Sequence, residues 1–307
     1  MKYSDTIPSI YVIVVTHNAL EWLDRCFTSI YESTILLNVI VFDNASNDTT
    51  VAQIVEKFPN IILIESSKNL GFGKANNIAI EKAFKEGADY VFLLNQDAWV
   101  EIDTISTLVK IAQKKPDYGI ISPLHLNGEG NDFDYGFYSY ISICCSKLFL
   151  DIILDNKKEL YDVTFVNAAA WLISKKCIES VGGFSPIFFH YGEDYDYSNR
   201  LKYHQLKIGI NADTKIYHDR ANRISRTNFN EITLQSKLIL STNINHISIQ
   251  YKVVLQTLFN ILRYALLLRH RSLIIEIFCF KFLILNFNKI LNIRKRSATL
   301  GTSFLNN

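Results

Sequence analysis

IYVIVVTHN, Ile10 to Asn18, is the stretch on which the fold turns. Ile10 to Val15 is an unbroken apolar run rich in β-branched residues, the composition of a strand buried on both faces. Polar residues end it abruptly at Thr16-His17-Asn18. Helical spacing follows, with Leu20, Leu23, Phe27, Ile30 and Tyr31 on one side. The alternation then repeats. Val39–Phe42 reads as a second strand and Thr49–Phe58 as a second helix; Ile61–Ile64 is a third strand, Lys74–Lys85 a third helix, and Tyr90–Leu94 a fourth strand. Such a β-α series predicts an α/β protein, a mostly parallel sheet covered by helices, with right-handed crossovers and a doubly wound topology.

Further along, Ser122 to Asp162 loosens into Gly, Asn, Asp and Tyr, with Tyr135, Phe137, Tyr138 and Tyr140 close together. This reads as an insertion or a flap over a site. Order returns at Phe165–Ser174, continues through a helix at Tyr195–Tyr203, and ends in short strands near Ile208 and at Lys215–Tyr217. After Asn228 the composition changes to Ile, Leu, Phe, Lys and Arg at helical spacing. We therefore expect a catalytic domain over residues 1–228 and a helical, basic and apolar segment over residues 229–307.

At 307 residues and 49% hydrophobic the chain can bury a large core, which excludes disorder as its main state. Its net charge of +2 points to no nucleic-acid partner, but the charge is segregated. Ile232 to Asn307 holds ten Lys or Arg and one acid, Glu276, whereas the first 231 residues hold 22 bases and 29 acids. Five cysteines, two of them adjacent, suit no standard disulfide or zinc pattern and favour a reducing compartment. The N-terminal stretch has no apolar region of the secretory type. No uncharged apolar run approaches the ~20 residues of a spanning helix. The longest, Ser272–Phe287, is broken by Glu276 and Lys281. A cytoplasmic protein is the expectation.

Ligands of open parallel sheets bind beyond the carboxyl ends of the strands. Three polar clusters fall there: Thr16-His17-Asn18, Asp43 to Asp48, and Asn95-Gln96-Asp97. Singly, each reads as capping and turn chemistry. Three on one edge point to a site. A dinucleotide fingerprint is absent, since Gly71-Phe72-Gly73 follows the third strand and lacks the third glycine. No phosphate-binding G-x-x-x-x-G-K-[ST] and no H-E-x-x-H occurs either. A second polar stretch, Gly182 to Tyr197, sets Glu193, Asp194 and Asp196 among Phe184, Phe188, Phe189 and Tyr191. A solvated helix start would tolerate these acids at the positive end of the dipole. The aromatic company instead suggests a partly buried site in which a carboxylate becomes more basic.

Taken together, VIVVTHN at Val12–Asn18, VFDNASNDTT at Val41–Thr50, NLGFGKANN at Asn69–Asn77, LLNQDAWV at Leu93–Val100 and GGFSPIFFHYGEDYDYSNR at Gly182–Arg200 resemble a family 2 glycosyltransferase of the rhamnosyltransferase-like branch. The resemblance spans residues 8–220, and His218 stands 24 positions after Asp194, where the family often has a histidine. It implies a GT-A type nucleotide-diphospho-sugar transferase fold and inverting transfer of a sugar to an acceptor hydroxyl. By the same resemblance, Thr16 and Asn18 would line the nucleotide pocket and Asp43 would hydrogen-bond the pyrimidine or ribose. Asn69, Gly71 and Lys74 would lie near base and phosphate. Asp97 matches the last acid of the family's D-x-D motif, a ligand of the divalent metal, while Asn95 replaces its first acid and lightens the metal site. Asp194 matches the catalytic base, with Glu193 and Asp196 holding the acceptor or Arg200. Gly182 and Gly183 would let backbone approach the donor sugar.

Chemistry explains those residue types. A nucleotide diphosphate leaves readily only when its developing charge is neutralised, as Mg²⁺ or Mn²⁺ does. Asp97 supplies an oxygen and His218 an imidazole, a mixture that suits Mn²⁺; alternatively His218 simply packs at a strand end beside Tyr217. The expected partners are a nucleotide-diphospho-sugar, with rhamnose the leading sugar by resemblance, and a saccharide or lipid-linked saccharide acceptor in bacterial surface polysaccharide biosynthesis. The competing function is a nucleotide- or sugar-binding protein that kept this fold without the chemistry. The tail reads two ways: helices packed on the catalytic domain or a second subunit, or a helix pair lying on the cytoplasmic membrane surface.

Overall fold

The structure is a computed structural model that describes residues 8–220 and 229–305. Residues 1–7, part of the stretch read for a leader, and the expected boundary at Asn228 lie outside the described residues. In chain order the elements are β1 (Ile10–Thr16), α1 (Leu23–Tyr31), β2 (Asn38–Asp43), α2 (Thr50–Lys57), β3 (Ile62–Glu65), α3 (Phe72–Lys85), β4 (Tyr90–Asn95), β5 (Ala98–Val100), α4 (Thr104–Lys114) and β6 (Tyr118–Asn127). Then come α5 (Tyr135–Cys144), α6 (Lys147–Ile153), β7 (Tyr161–Val163), β8 (Ala170–Ser174), α7 (Lys175–Val181), α8 (Glu193–Tyr203) and β9 (Lys207–His218). The C-terminal segment forms α9 (Phe229–Thr242), α10 (Ile249–Leu266), α11 (His270–Leu285) and α12 (Phe287–Ala298).

One sheet runs β3-β2-β1-β4-β8-β6-β9-β5, with β7 on β9. It is parallel from β3 to β4, antiparallel on both sides of β8, and parallel again between β6 and β9. The apolar run of β1 makes sense here. Side chains of a strand alternate between faces, so a strand with helices on both sides must be apolar throughout. Tyr11 and Ile13 enter the core shared with Ala79, Ile80 and Ala83 of α3 and with Trp171. Val12 and Val14 enter the core shared with Phe27 of α1 and Leu108 of α4.

Three details depart from the sequence expectation. The short strands expected near Ile208 and at Lys215–Tyr217 are one strand, β9, running from Lys207 to His218. Helix α1 begins at Leu23, three residues late, because Asn18 turns the chain with φ 52° and leaves Leu20 exposed. The stretch from Ser122 to Asp162 is also more ordered than its composition suggested. Its β6 continues to Asn127, and the following α5 and α6 bury Phe137, Ile141 and Leu148 in the same core as Trp171.

The C-terminal helices pack onto the body through Ile187 and Phe188, against Leu238, Val253, Leu283, Ile290 and Ile293. The chain then returns to the sheet domain, where the Gly183 N–H donates to the Ser303 carbonyl at 2.8 Å and Leu305 joins the α3-side core. Among the described residues, no single helix is long and apolar enough to cross a membrane.

Candidate active site

A cavity of about 480 Å³ opens beyond the carboxyl ends of β1 and β4, where the strand-end polar clusters fall. Asn69, Gly71, Asn95, Asp97, Glu193, Asp194 and His218, all singled out in the sequence, line it. Thr16, Asn18, Asp43, Lys74 and Asp196 do not. Thr16 Oγ1 donates to Asp43 Oδ1 at 2.9 Å, and the other oxygen of Asp43 accepts from the Ser46 N–H at 2.9 Å. Asn18 Oδ1 accepts from the Asn47 N–H at 2.9 Å. These three residues therefore clamp the β1–α1 loop to the β2–α2 loop and hold the rim of the cavity. Lys74 lies exposed on α3.

Asn44 was read only as part of its cluster, yet it lines the cavity and joins its two edges. Its Nδ2 donates to Asn69 Oδ1 at 3.0 Å, and its Oδ1 accepts from the Leu70 N–H at 2.7 Å. Asn69 in turn accepts from the Gly71 N–H at 2.9 Å. Gly71 has φ +79°, and a Cβ there would sit 2.0 Å from the Phe189 carbonyl oxygen. Glycine is thus required for the loop carrying Phe189 and His190 to close this wall of the cavity.

On the opposite wall β5 pairs with the end of β9, placing Ala98 beside His218 and so bringing Asp97 next to the histidine. Asp97 Oδ1 lies 3.3 Å from His218 Nε2, and Asn95 Nδ2 lies 3.3 Å from the same nitrogen. The ring's other nitrogen, Nδ1, stands 3.5 Å from Asp134 Oδ2. Burial alone would lower the His218 pKa, but the carboxylates of Asp97 and Asp134 outweigh it and raise it. Burial likewise opposes the charge of Asp134, yet His218 and the Phe137 N–H hold its carboxyl at about 2. Behind them His125 is buried and hydrogen-bonded to the Ser122 hydroxyl at 3.0 Å. Burial, reinforced by His218, lowers its pKa to about 3 and keeps it neutral.

Helix α8 supplies the third wall. Glu193 is buried with Oε2 lacking a hydrogen-bond partner, and Asp194 beside it is half-buried. Burial raises both pKa values, and the charges of Asp194 and Asp196 add to the effect on Glu193. The backbone N–H groups of Tyr195 and Ala168 partly offset the shift at Asp194. Around it Phe165 and Tyr195 stack at 3.6 Å between ring centroids, with Tyr140 of α5 edge-on to both.

Asp196 faces the other way. It is buried against Arg200, whose Nε donates to Asp196 Oδ2 at 2.9 Å, while the guanidinium also donates to the carbonyls of Val181 and Gly183 at 2.7 Å each. Of the roles considered for Asp196, the geometry shows the hold on Arg200. Gly182 and Gly183 also differ from expectation. A Cβ at Gly182 would meet the Ser303 carbonyl oxygen at 2.0 Å, and one at Gly183 would meet Asn77 Oδ1 at 2.5 Å. Their close approach is to the chain's own C-terminal segment and to α3, and neither glycine lines the cavity.

Asp134, Asn167 and Arg220 are the site residues that sequence reasoning missed; Tyr140 comes from the stretch expected as an insertion or a flap over a site. Tyr140, Asn167 and Arg220 line the cavity, and Asp134 backs His218. Asp134 carried a signal as the N-cap of α5, accepting from the Phe137 N–H at 2.8 Å. Arg220 stands two residues beyond His218 at the same strand end.

Comparison with known proteins shows the family and the fold. The sequence profile of glycosyl transferase family 2 matches residues 11–182. The N-acetylglucosaminyl-diphospho-decaprenol L-rhamnosyltransferase of Mycobacterium tuberculosis is 24% identical over 257 residues, 76% of this chain and 82% of that protein. The dTDP-rhamnosyl transferase RfbF of Shigella flexneri is 23% identical over 211 residues, 68% of this chain and 69% of that protein. Among solved structures, S. aureus TarS 1–349 in complex with UDP superposes with a TM-score of 0.56 at 16% identity, covering 92% of this chain and 91% of that one. GalNAc-T7 with UDP, GalNAc and Mn²⁺ superposes with a TM-score of 0.56 at 15% identity, over 78% of this chain and 51% of that one. These structures share the GT-A fold with the sheet described above. Because the profile takes in the β-α series and four of the five motifs that surround the cavity, the chain belongs to glycosyl transferase family 2, beside its rhamnosyltransferase-like relatives.

Proposed function

We propose that this glycosyltransferase moves a sugar, rhamnose foremost, from a nucleotide-diphospho-sugar to a hydroxyl of a lipid-linked saccharide, with inversion, in surface polysaccharide biosynthesis. The observation that carries the reading is one cavity lined by both halves of the chemistry: the Asp97–His218 pair on one wall and Asp194 on another. The two rhamnosyltransferases by their names, and the UDP complex of TarS by its ligand, support the donor class.

A divalent cation fits the residues present. Asp97 offers a carboxylate oxygen and His218 an imidazole nitrogen, donor types that would hold such a cation. Asp97 Oδ1 and His218 Nε2 stand at 3.3 Å, and Asp134 backs the far nitrogen of the ring as an outer-shell carboxylate. Among the described residues no three His, Cys, Asp or Glu side chains gather to hold a metal alone, so diphosphate and water oxygens would complete the shell. When bound, Mg²⁺ or Mn²⁺ would neutralise charge on the departing diphosphate.

The chain's own residues do the rest. Asp194 accepts the proton of the acceptor hydroxyl as its oxygen attacks the anomeric carbon from the face opposite the diphosphate. Partial burial makes it a better base than an exposed aspartate, and the Tyr195 N–H aims it by holding Oδ1 at 2.8 Å. Tyr140 and Phe189 line the cavity beside it. The test is Asp194→Asn, assayed against a panel of dTDP- and UDP-sugars. Transfer should fall by at least ~10²-fold, the scale of general base catalysis, with nucleotide diphosphate binding nearly unchanged. Retention of more than about a tenth of wild-type turnover would overturn the assignment and leave Glu193 as the next candidate.

A further inference from the structure

The α10–α11 hairpin is apolar on two sides. Its inner side, Val253 and Thr257 of α10 with Ile275, Cys279 and Leu283 of α11, is buried. Its outer side is not covered. On α10, Leu255, Leu258, Phe259, Leu262 and Leu266 are exposed at helical spacing, and on α11 Ile274, Ile277, Phe278 and Leu285 repeat the pattern. Between the helices the tip presents Leu266, Leu267 and Leu268, with Leu266 85% and Leu268 75% exposed, followed by Arg269-His270-Arg271. A patch of this extent on a monomer marks a contact surface.

Charge identifies the partner. Lys252, Arg263, Arg269, Arg271, Lys281 and Lys289 are all exposed around the apolar stripes. The hairpin's one acid, Glu276, is buried, with Oε2 ion-paired to Lys237 Nζ at 3.0 Å and Oε1 accepting from Asn260 Nδ2 at 3.0 Å. The outer surface is therefore apolar and purely cationic. A second copy meeting it face to face would set these six cations against six more. We propose that this hairpin docks the protein on an anionic lipid surface, with the leucine tip in the acyl boundary and the bases among the headgroups. It lies on the bilayer, since neither helix is long and apolar enough to cross. The buried Lys237–Glu276 pair locks α11 to α9, and Gln235 of α9 donates to the His190 carbonyl in the cavity wall at 2.8 Å. Lipid contact is thereby tied to the orientation of the cavity.

The experiment is flotation of the full-length protein with vesicles of phosphatidylcholine alone or with phosphatidylglycerol. Wild-type protein should float with the anionic vesicles and lose affinity as salt rises. Leu266→Ser, Leu267→Ser and Leu268→Ser combined should weaken binding at least tenfold. Arg263→Gln, Arg269→Gln and Arg271→Gln combined should weaken it on the order of a hundredfold, since each base near such a surface contributes roughly fivefold. All the substituted residues are exposed, and circular dichroism and nucleotide binding should be unchanged. Equal flotation of wild type and both variants would overturn the proposal. So would a dimer in sedimentation velocity that the leucine variant abolishes, which would assign the face to a second copy.

Discussion

Asp194 and Asp196 stand two positions apart on the first turn of α8 and have opposite fates. Residues i and i+2 of a helix point to different sides, so one acid meets the cavity and the other meets Arg200 one turn on. Glu193 lies between these situations, buried beside Asp194 with one oxygen unpartnered. Burial raises its pKa in the folded chain, so the folded state binds a proton more tightly than the unfolded one. The stability linked to that proton is present below the ordinary glutamate pKa and is lost as pH rises through the raised folded value. Glu193→Gln, which carries no charge to desolvate, should therefore raise Tm at pH 8 relative to wild type and change it little at pH 4. Thermal scans at both pH values check this, and an equal shift at both would remove the buried charge as the cause.

At the scale of elements, Asp134 belongs to two structures at once. Its carboxylate caps α5 and also faces His218 on β9. The two roles separate by substitution. Asp134→Ser keeps a capping oxygen but removes the carboxylate, whereas Asp134→Ala removes both, costing about 1 kcal/mol more in stability through the cap. If Asp134 orients His218 toward a cation, both variants should weaken Mn²⁺ binding by about 10–100-fold. Titration of nucleotide diphosphate with and without Mn²⁺ measures it, with Asp97→Ala as reference, in which the metal effect should disappear. An unchanged metal effect in Asp134→Ser would reduce Asp134 to a capping residue. The motif at Leu93–Val100 announced Asp97, but Asp134 stands in a stretch of loose Gly, Asn, Asp and Tyr with no motif around it, and helix caps and outer-shell ligands use the same residue types.

Across the whole molecule, the C-terminal segment is bound into the body. The Asn77 amide donates to the carbonyls of Phe184 and Phe304 at 2.8 and 3.2 Å, so α3, the Gly183 turn and the last residues meet at one side chain. Leu305 is buried in the α3-side core. Leu305→Ala should thus cost about 2–5 kcal/mol, the range for truncating a buried leucine. Denaturant unfolding followed by tryptophan fluorescence reports on the sheet domain, where Trp171 shares that core. A fluorescence midpoint identical to wild type would show instead that the end of the chain unfolds separately.

The β-α series, the edge of the sheet that carries the cavity, and the candidates Asp97, Asp194 and His218 that line it were legible in the sequence because each is written locally. Strand alternation, capping and motif spacing all act within a few residues. That Glu193 and Asp194 meet the cavity while Asp196 turns away was decided by the packing of Arg200, and the use of Gly182 and Gly183 by Ser303 and Asn77, each more than 100 residues away in the chain. The partnership of His218 with Asp134 depends on β9 and α5 meeting across the sheet. Contacts between residues far apart in the chain leave no periodicity in the sequence. They form only when the buried faces close on one another, so the tertiary structure alone could assign them.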